Sequence, residues 1–124
     1  MADFQIHTSQ QQAGGAGPVR VVNVKGSLDA HTFLAFQKEL ESTLRANDAK
    51  VVLDCDGLDY MSSAGLGVLK KYVHDFRGRG GDIRIARVPE KVGNIIKLLG
   101  FSKVFKIFTT LDEAVSSYKP APKD

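Results

Sequence analysis

At 124 residues, 43% hydrophobic and 25% charged, the chain has the balance of one ordinary globular domain, able to bury a core without a metal or a disulfide. A net charge of +3, scattered in short groups, makes no case for nucleic-acid binding, and no apolar run reaches the length of a membrane span. The single Cys55 cannot form an internal bridge and the N-terminus lacks a secretion-signal pattern, which together point to the cytoplasm.

Phe4–Thr8 reads as a first strand. Residues 9–18, SQQQAGGAGP, are rich in Gln and Gly and read as a flexible tip before a second strand, VRVVNVKG, that ends at Gly26. From His31 to Ala46, Phe33, Phe36, Leu40 and Leu44 recur at helical spacing. KVVLDC at 50–55 is the apolar run of a buried central strand, and DGLDYM reads as a loop. Ser62 and Ser63 open a second helix with Leu66, Leu69, Val73 and Phe76 on one face, stopped by Gly78, Gly80 and Gly81. DIRIARV at 82–88 alternates as a strand. Pro89 and Glu90 open a third helix, with Val92, Ile95, Ile96 and Leu99 facing the core and Gly100 in the C′ position. KVFKIF at 103–108 reads as a last strand, Leu111–Tyr118 as a final helix, and 119–124 as a frayed tail. The expectation is one α/β domain over 1–118, with a mixed, largely parallel sheet of four to five strands and about four helices mainly on one face.

Several groups carry side chains that could support chemistry. Asp54, Asp56 and Asp59 lack the glycine turn and terminal glutamate of a calcium loop, and read as solvated loop carboxylates rather than metal ligands. Ser63 lacks the glycine two residues before it that a nucleophile elbow needs, since Met61 stands there. His7, His31 and His74 are scattered, so no catalytic residues are assigned and the chain is not read as an enzyme. RGRGGD at 77–82 follows a helix and lacks the GK[ST] ending of a phosphate loop, so it is a turn. Arg77, Arg79, Arg84 and Arg87, with Lys70 and Lys71, read as a solvated basic face. Cys55 reads as buried and inert. Leu98, Phe101 and Phe105 read as core, with an exposed apolar patch as the other option.

The stretch with a signal is LDCDGLDYMSSAGLGVLKKY, 53–72. A serine at a helix start sits where unpaired N–H groups and the helix dipole favour negative charge, so phosphate there is compatible with the fold. The plainer role is capping, the ordinary task of serine before a helix. Gly65 and Gly67 are expected to keep that first turn slim for a close-approaching partner.

VVNVKGSLDAHTF, KVVLDCDGLDYMSSAGLGVLKKY and IIKLLGFSKVFKIFTTLDEAV, in that order, resemble the STAS (sulfate transporter and anti-sigma factor antagonist) domains over about Phe4–Tyr118. Among these the chain looks most like the stand-alone bacterial anti-sigma factor antagonists. The resemblance implies the STAS fold and no cofactor. It also implies a phosphoserine at Ser63, with Ser62 as fallback, and a partner surface of Asp29, Ser62, Ser63, Ala64, Gly65, Leu66 and Gly67. The family pattern, Asp-Ser-Ser/Thr-Gly-Leu-Gly, is broken here by Ser62 in the aspartate position and Ala64 in the second Ser/Thr position. The implied partners are an anti-sigma factor that is also a GHKL-type serine kinase, and a metal-dependent phosphatase. Asp29 reads as helix N-cap or partner contact. The alternative function is a STAS scaffold or regulatory subunit of a signalling or transport complex that works without phosphorylation.

Overall fold

A computed structural model describes residues 4–46 and 48–118; the tail expected at 119–124 lies outside the described residues. Strands β1 (Gln5–Gln12) and β2 (Pro18–Leu28) form an antiparallel hairpin, paired from Gln5↔Lys25 to Gln12↔Pro18. Helix α1 (Phe33–Arg45) follows, then β3 (Lys50–Asp54), β4 (Leu58–Met61), α2 (Ser63–Gly78), β5 (Asp82–Ala86), α3 (Glu90–Leu98), β6 (Ile107–Phe108) and α4 (Leu111–Ser116). The sheet order is β1-β2-β3-β5-β6, with β4 beside β2; all pairs except β1–β2 are parallel.

Three expectations are corrected here. Residues 9–12 are strand, because their backbone groups pair with β2 whatever their side chains prefer; only 13–17 turn, around a 3-10 helix at Gly14–Ala16. DGLDYM is not all loop, since Leu58–Met61 forms β4. β2 pairs with β3 over Arg20–Asn23 and with β4 from Gly26 to Leu28, with a register shift between Gly26 and Ser27. Gly26 permits this bend: its φ is +92°, and its N–H donates to the Gly57 carbonyl at 3.0 Å. The last strand is also shorter than KVFKIF, two residues instead of six.

Alternation along the strands builds two cores. Val22, Val24, Val51, Leu53, Ile83 and Ile85 are buried against α1, α2 and α3, among them Phe36, Leu69, Phe76 and Ile96. Val19, Val21, Val52 and Ala86 point to the other face, where α4 supplies Ala114 and Val115 and the chain adds Tyr118. Three helices thus share one face and α4 covers the second. Helices α2 and α3 end alike: Gly80 N–H to Arg77 O with Gly81 N–H to Phe76 O, and Gly100 N–H to Lys97 O with Phe101 N–H to Ile96 O. Both are paired backbone closures around a glycine of positive φ, as the glycine positions predicted.

The Tyr118 hydroxyl ties the N-terminal ends of β3 and β5. It accepts from Val51 N–H at 3.2 Å and lies 2.6 Å from the Val51 carbonyl and 2.8 Å from that of Asp82. Burial pushes its pKa up, so it stays a donor. Tyr118→Phe is expected to lose about 2 kcal/mol, the cost of buried backbone groups left unpaired. The check is a lower urea midpoint with an unchanged m-value.

The basic cluster is a solvated face only in part: Lys70, Lys71 and Arg79 are exposed. Arg77 and Arg84 both bond the buried Asp82, at 2.9 and 3.2 Å, and Arg87 binds Asp54. Leu98 is 84% exposed whereas Phe105 is buried and Phe101 half-buried, so that trio divides between surface and core.

Candidate functional site

The site lies at the C-terminal ends of two parallel strands. Leu28 of β2 is the partner of Met61 of β4, and the Ser62 N–H donates to the Leu28 carbonyl at 2.8 Å. Asp29 and Ser62 therefore leave neighbouring strands roughly 4.8 Å apart. Such strand ends are where loops of open α/β sheets carry function.

Ser62 is the N-cap of α2. Its backbone is extended (φ −84°, ψ 169°), and its Oγ accepts from the Gly65 N–H at 3.2 Å. Its carbonyl takes the Leu66 N–H at 3.0 Å. Ser63, the first helical residue, and Ala64 are exposed. The first turn of α2 holds no acidic residue to offset the helix dipole. Ser62→Ala is expected to cost about 1 kcal/mol, seen as a fall in melting temperature of about 4 °C.

Gly65 and Leu66 do not face outward. Leu66 is fully buried, and a Cβ on Gly65 would meet Leu28 Cγ at 2.8 Å, so Gly65 lets α2 pack on β2. Gly67 has nothing within 4 Å of an added Cβ and is exposed. Of the two glycines, only Gly67 lies on the surface.

Asp29 caps a turn, not helix α1. Its carboxylate accepts from His31 N–H at 2.8 Å and its carbonyl from Thr32 and Phe33 N–H at 3.2 and 2.9 Å. Thr32 holds the N-cap position of α1 and spends its hydroxyl proton on the Ser27 carbonyl, at 2.7 Å. Asp29 is half-buried, its carboxylate is fixed by the His31 N–H, and its backbone leaves the strand end next to that of Ser62.

Beside Ser63 runs an open groove of about 280 Å³ lined by Tyr60, Met61, Ile95, Leu98 and Leu99. Tyr60 is 44% exposed and Leu99 46%. Reading β4 as loop hid Tyr60; its alternation with Met61 was the available signal.

Asp54 departs most from expectation. It is buried, held by Arg87 at 2.9 and 2.6 Å and by Asn23 Nδ2 at 3.1 Å. Burial raises its pKa, but the Arg87, Asp56 N–H and Asn23 hydrogen bonds together outweigh it and the net shift is downward. Arg87 adopts φ +56° just past β5, and its guanidinium bonds the last residue of β3. Asp56 and Asp59 are exposed. Cys55 is buried and burial pushes its thiol pKa up, leaving it protonated. His7, His31 and His74 are exposed, and His31 meets the site through its backbone N–H on the Asp29 carboxylate. Among the described residues no three His, Cys, Asp or Glu side chains converge as metal ligands, and no helix is long and apolar enough to cross a membrane.

Comparison with known proteins agrees with this architecture. The anti-sigma-F factor antagonist RsfA of Mycobacterium tuberculosis is 26% identical over 99 residues, covering 78% of this chain and 77% of that one. An anti-sigma factor antagonist from Mycobacterium paratuberculosis superposes with a TM-score of 0.76 at 24% identity, over 92% of this chain and 94% of that one. The Bacillus cell fate determinant SpoIIAA, in its phosphorylated form, matches with a TM-score of 0.66 at 14% identity, over 94% and 100% of the two chains. These two structures share the fold. The STAS domain family model matches residues 10–114, and the chain belongs to the STAS domain family.

Proposed function

We propose that this protein is an anti-sigma factor antagonist of the cytoplasm. It binds an anti-sigma factor bearing GHKL-type serine kinase activity while Ser63 carries a free hydroxyl, and is released when Ser63 is phosphorylated. The observation that carries the reading is the division of labour between the two serines. Ser62 uses its hydroxyl oxygen inside the fold, whereas Ser63 presents its own to solvent on the next residue.

The kinase moves the γ-phosphoryl of ATP to Ser63 Oγ, releasing ADP and the hydroxyl proton. A metal-dependent phosphatase later returns serine and inorganic phosphate. The phosphate meets a helix start whose Ser63 and Ala64 N–H groups have no intrahelical partner, so the free protein accommodates it. Near-double negative charge beside the Asp29 carboxylate is what the partner's surface must then reject. The surface in this reading comprises Asp29, Ser62, Ser63, Ala64 and Gly67.

Ser62 in place of the family's aspartate supports a second reading, a scaffold or regulatory STAS subunit that is indifferent to phosphate. Intact-mass spectrometry of the protein from its native cells, with peptide mapping of 53–71, separates the two. A phosphate on Ser63 is expected. Its absence under every growth and stress condition favours the scaffold.

A further inference from the structure

Strand β1 forms one edge of the sheet and pairs along all eight residues with β2. A strand paired on one side only leaves alternate N–H and C=O groups directed away from the sheet. Edges are ordinarily shielded by short length, charge, proline, a bulge or a covering segment. QIHTSQQQ contains no Asp, Glu, Lys, Arg or Pro, and its ladder with β2 runs without a register shift. Its own turn does not cover it either. Residues 13–17 curl across the second face of the sheet, where Ala13 packs in the cluster of Val19, Val52 and Ala114 and the Ala16 carbonyl accepts from Lys50 Nζ on β3. The far edge differs, β6 being two residues long.

We propose that β1 is a self-association edge: two copies of this chain pair β1 with β1 antiparallel across a two-fold axis, joining their sheets. The occupant is a second copy because the edge complements itself. A two-fold axis normal to the sheet keeps its faces, so the pairing centres on a residue: centred on Thr8, it sets Thr8 opposite Thr8 of the second copy, His7 opposite Ser9 and Gln5 opposite Gln11. Apart from Ile6, which falls opposite Gln10, uncharged polar side chains then meet one another and no Asp, Glu, Lys or Arg faces across the seam. Two molecules of net charge +3 repel at distance, and an uncharged seam adds nothing to that repulsion. The two-fold contact consumes both edges, so assembly stops at the dimer. One strand pair buries less than the roughly 1,000 Å² of a stable interface, so the dimer is reversible and forms as concentration rises. The inference is independent of any role for Ser63.

Sedimentation velocity of the full chain from micromolar to millimolar concentration is the test, beside the double variant Thr8→Lys, Gln10→Lys. Both of those side chains are exposed, so the variant is expected to keep the circular dichroism and melting temperature while dimerising about tenfold more weakly or less. Hydrogen exchange on the unaltered chain gives a second readout. Amides within 5–12 are expected to gain protection with concentration while those of α3 do not. A chain that stays monomeric at millimolar concentration overturns the proposal. So does a dimer that the lysines leave intact, a dimer protected at α3, or growth beyond two copies.

Discussion

A phosphate on Ser63 is expected to weaken binding of the anti-sigma factor by more than a hundredfold while leaving the fold intact. Ser63 and Ala64 are exposed at the start of α2, and the half-buried Asp29 carboxylate stands on the adjoining strand end. In the free protein the dianion is hydrated and faces the positive end of the helix, worth up to about 1 kcal/mol in its favour. In a complex the same group must shed water within an interface and sit beside Asp29. A penalty of ~3 kcal/mol suffices for the hundredfold loss. Calorimetric titration of both forms measures it, and the melting temperature of the phosphoprotein is expected to match or exceed that of the unmodified chain. Ser63→Ala is expected to stay bound in the presence of ATP. Equal affinity of the two forms would remove the switch and leave the scaffold reading.

Gly81→Ala is expected to be the most damaging single methyl in the chain. A Cβ there falls 1.8 Å from the Ala49 carbonyl oxygen and 2.4 Å from its carbon, and both are backbone atoms that cannot move as a flexible side chain would. That oxygen accepts the Asp82 N–H at 2.9 Å, and Gly81 itself closes α2 through the Phe76 carbonyl. Making space means prying the start of β5 from the approach to β3, where Lys50 and Asp82 begin the central ladder. A loss above about 4 kcal/mol is expected, enough to leave much of the chain unfolded. Gly67→Ala is the control: open space surrounds it within the helix, so a gain of about 0.5–1 kcal/mol is expected. Chemical denaturation of the two variants decides the matter. Equal and small effects would show that the β5 start is looser than its hydrogen bonds indicate.

Much of this was legible in the residues because local and global preferences agree. The 62–77 stretch shows its buried face through Leu66, Leu69, Val73 and Phe76, and so also shows that Ser63 lies outside it. Misreadings arose where a distant segment decides. Ser9–Gln12 have a coil-like composition but a strand partner in Pro18–Val21. Leu58–Met61 is four residues long, and only the bend at Gly26 supplies its neighbour. Gly65 looks like an opening for a partner until Leu28 is placed against it. Asp54, Asp56 and Asp59 look alike in sequence, and Arg87, 33 residues beyond Asp54, bonds the buried Asp54 closely and reaches the exposed Asp56 at 3.6 Å.

The tyrosine that ties β3 to β5 also marks a pole of the domain. Tyr118 holds the end of the sheet where the parallel strands begin, whereas Ser63 lies where they finish. Gln5, opposite Lys25, enters near the finishing end. A fluorophore or affinity handle attached to an exposed side chain beside Tyr118, such as Ser116, therefore stands toward the opposite pole from Ser63. Immobilising the protein through that pole presents Ser63 and Asp29 to solution, the orientation that surface-based binding assays and kinase reactions require.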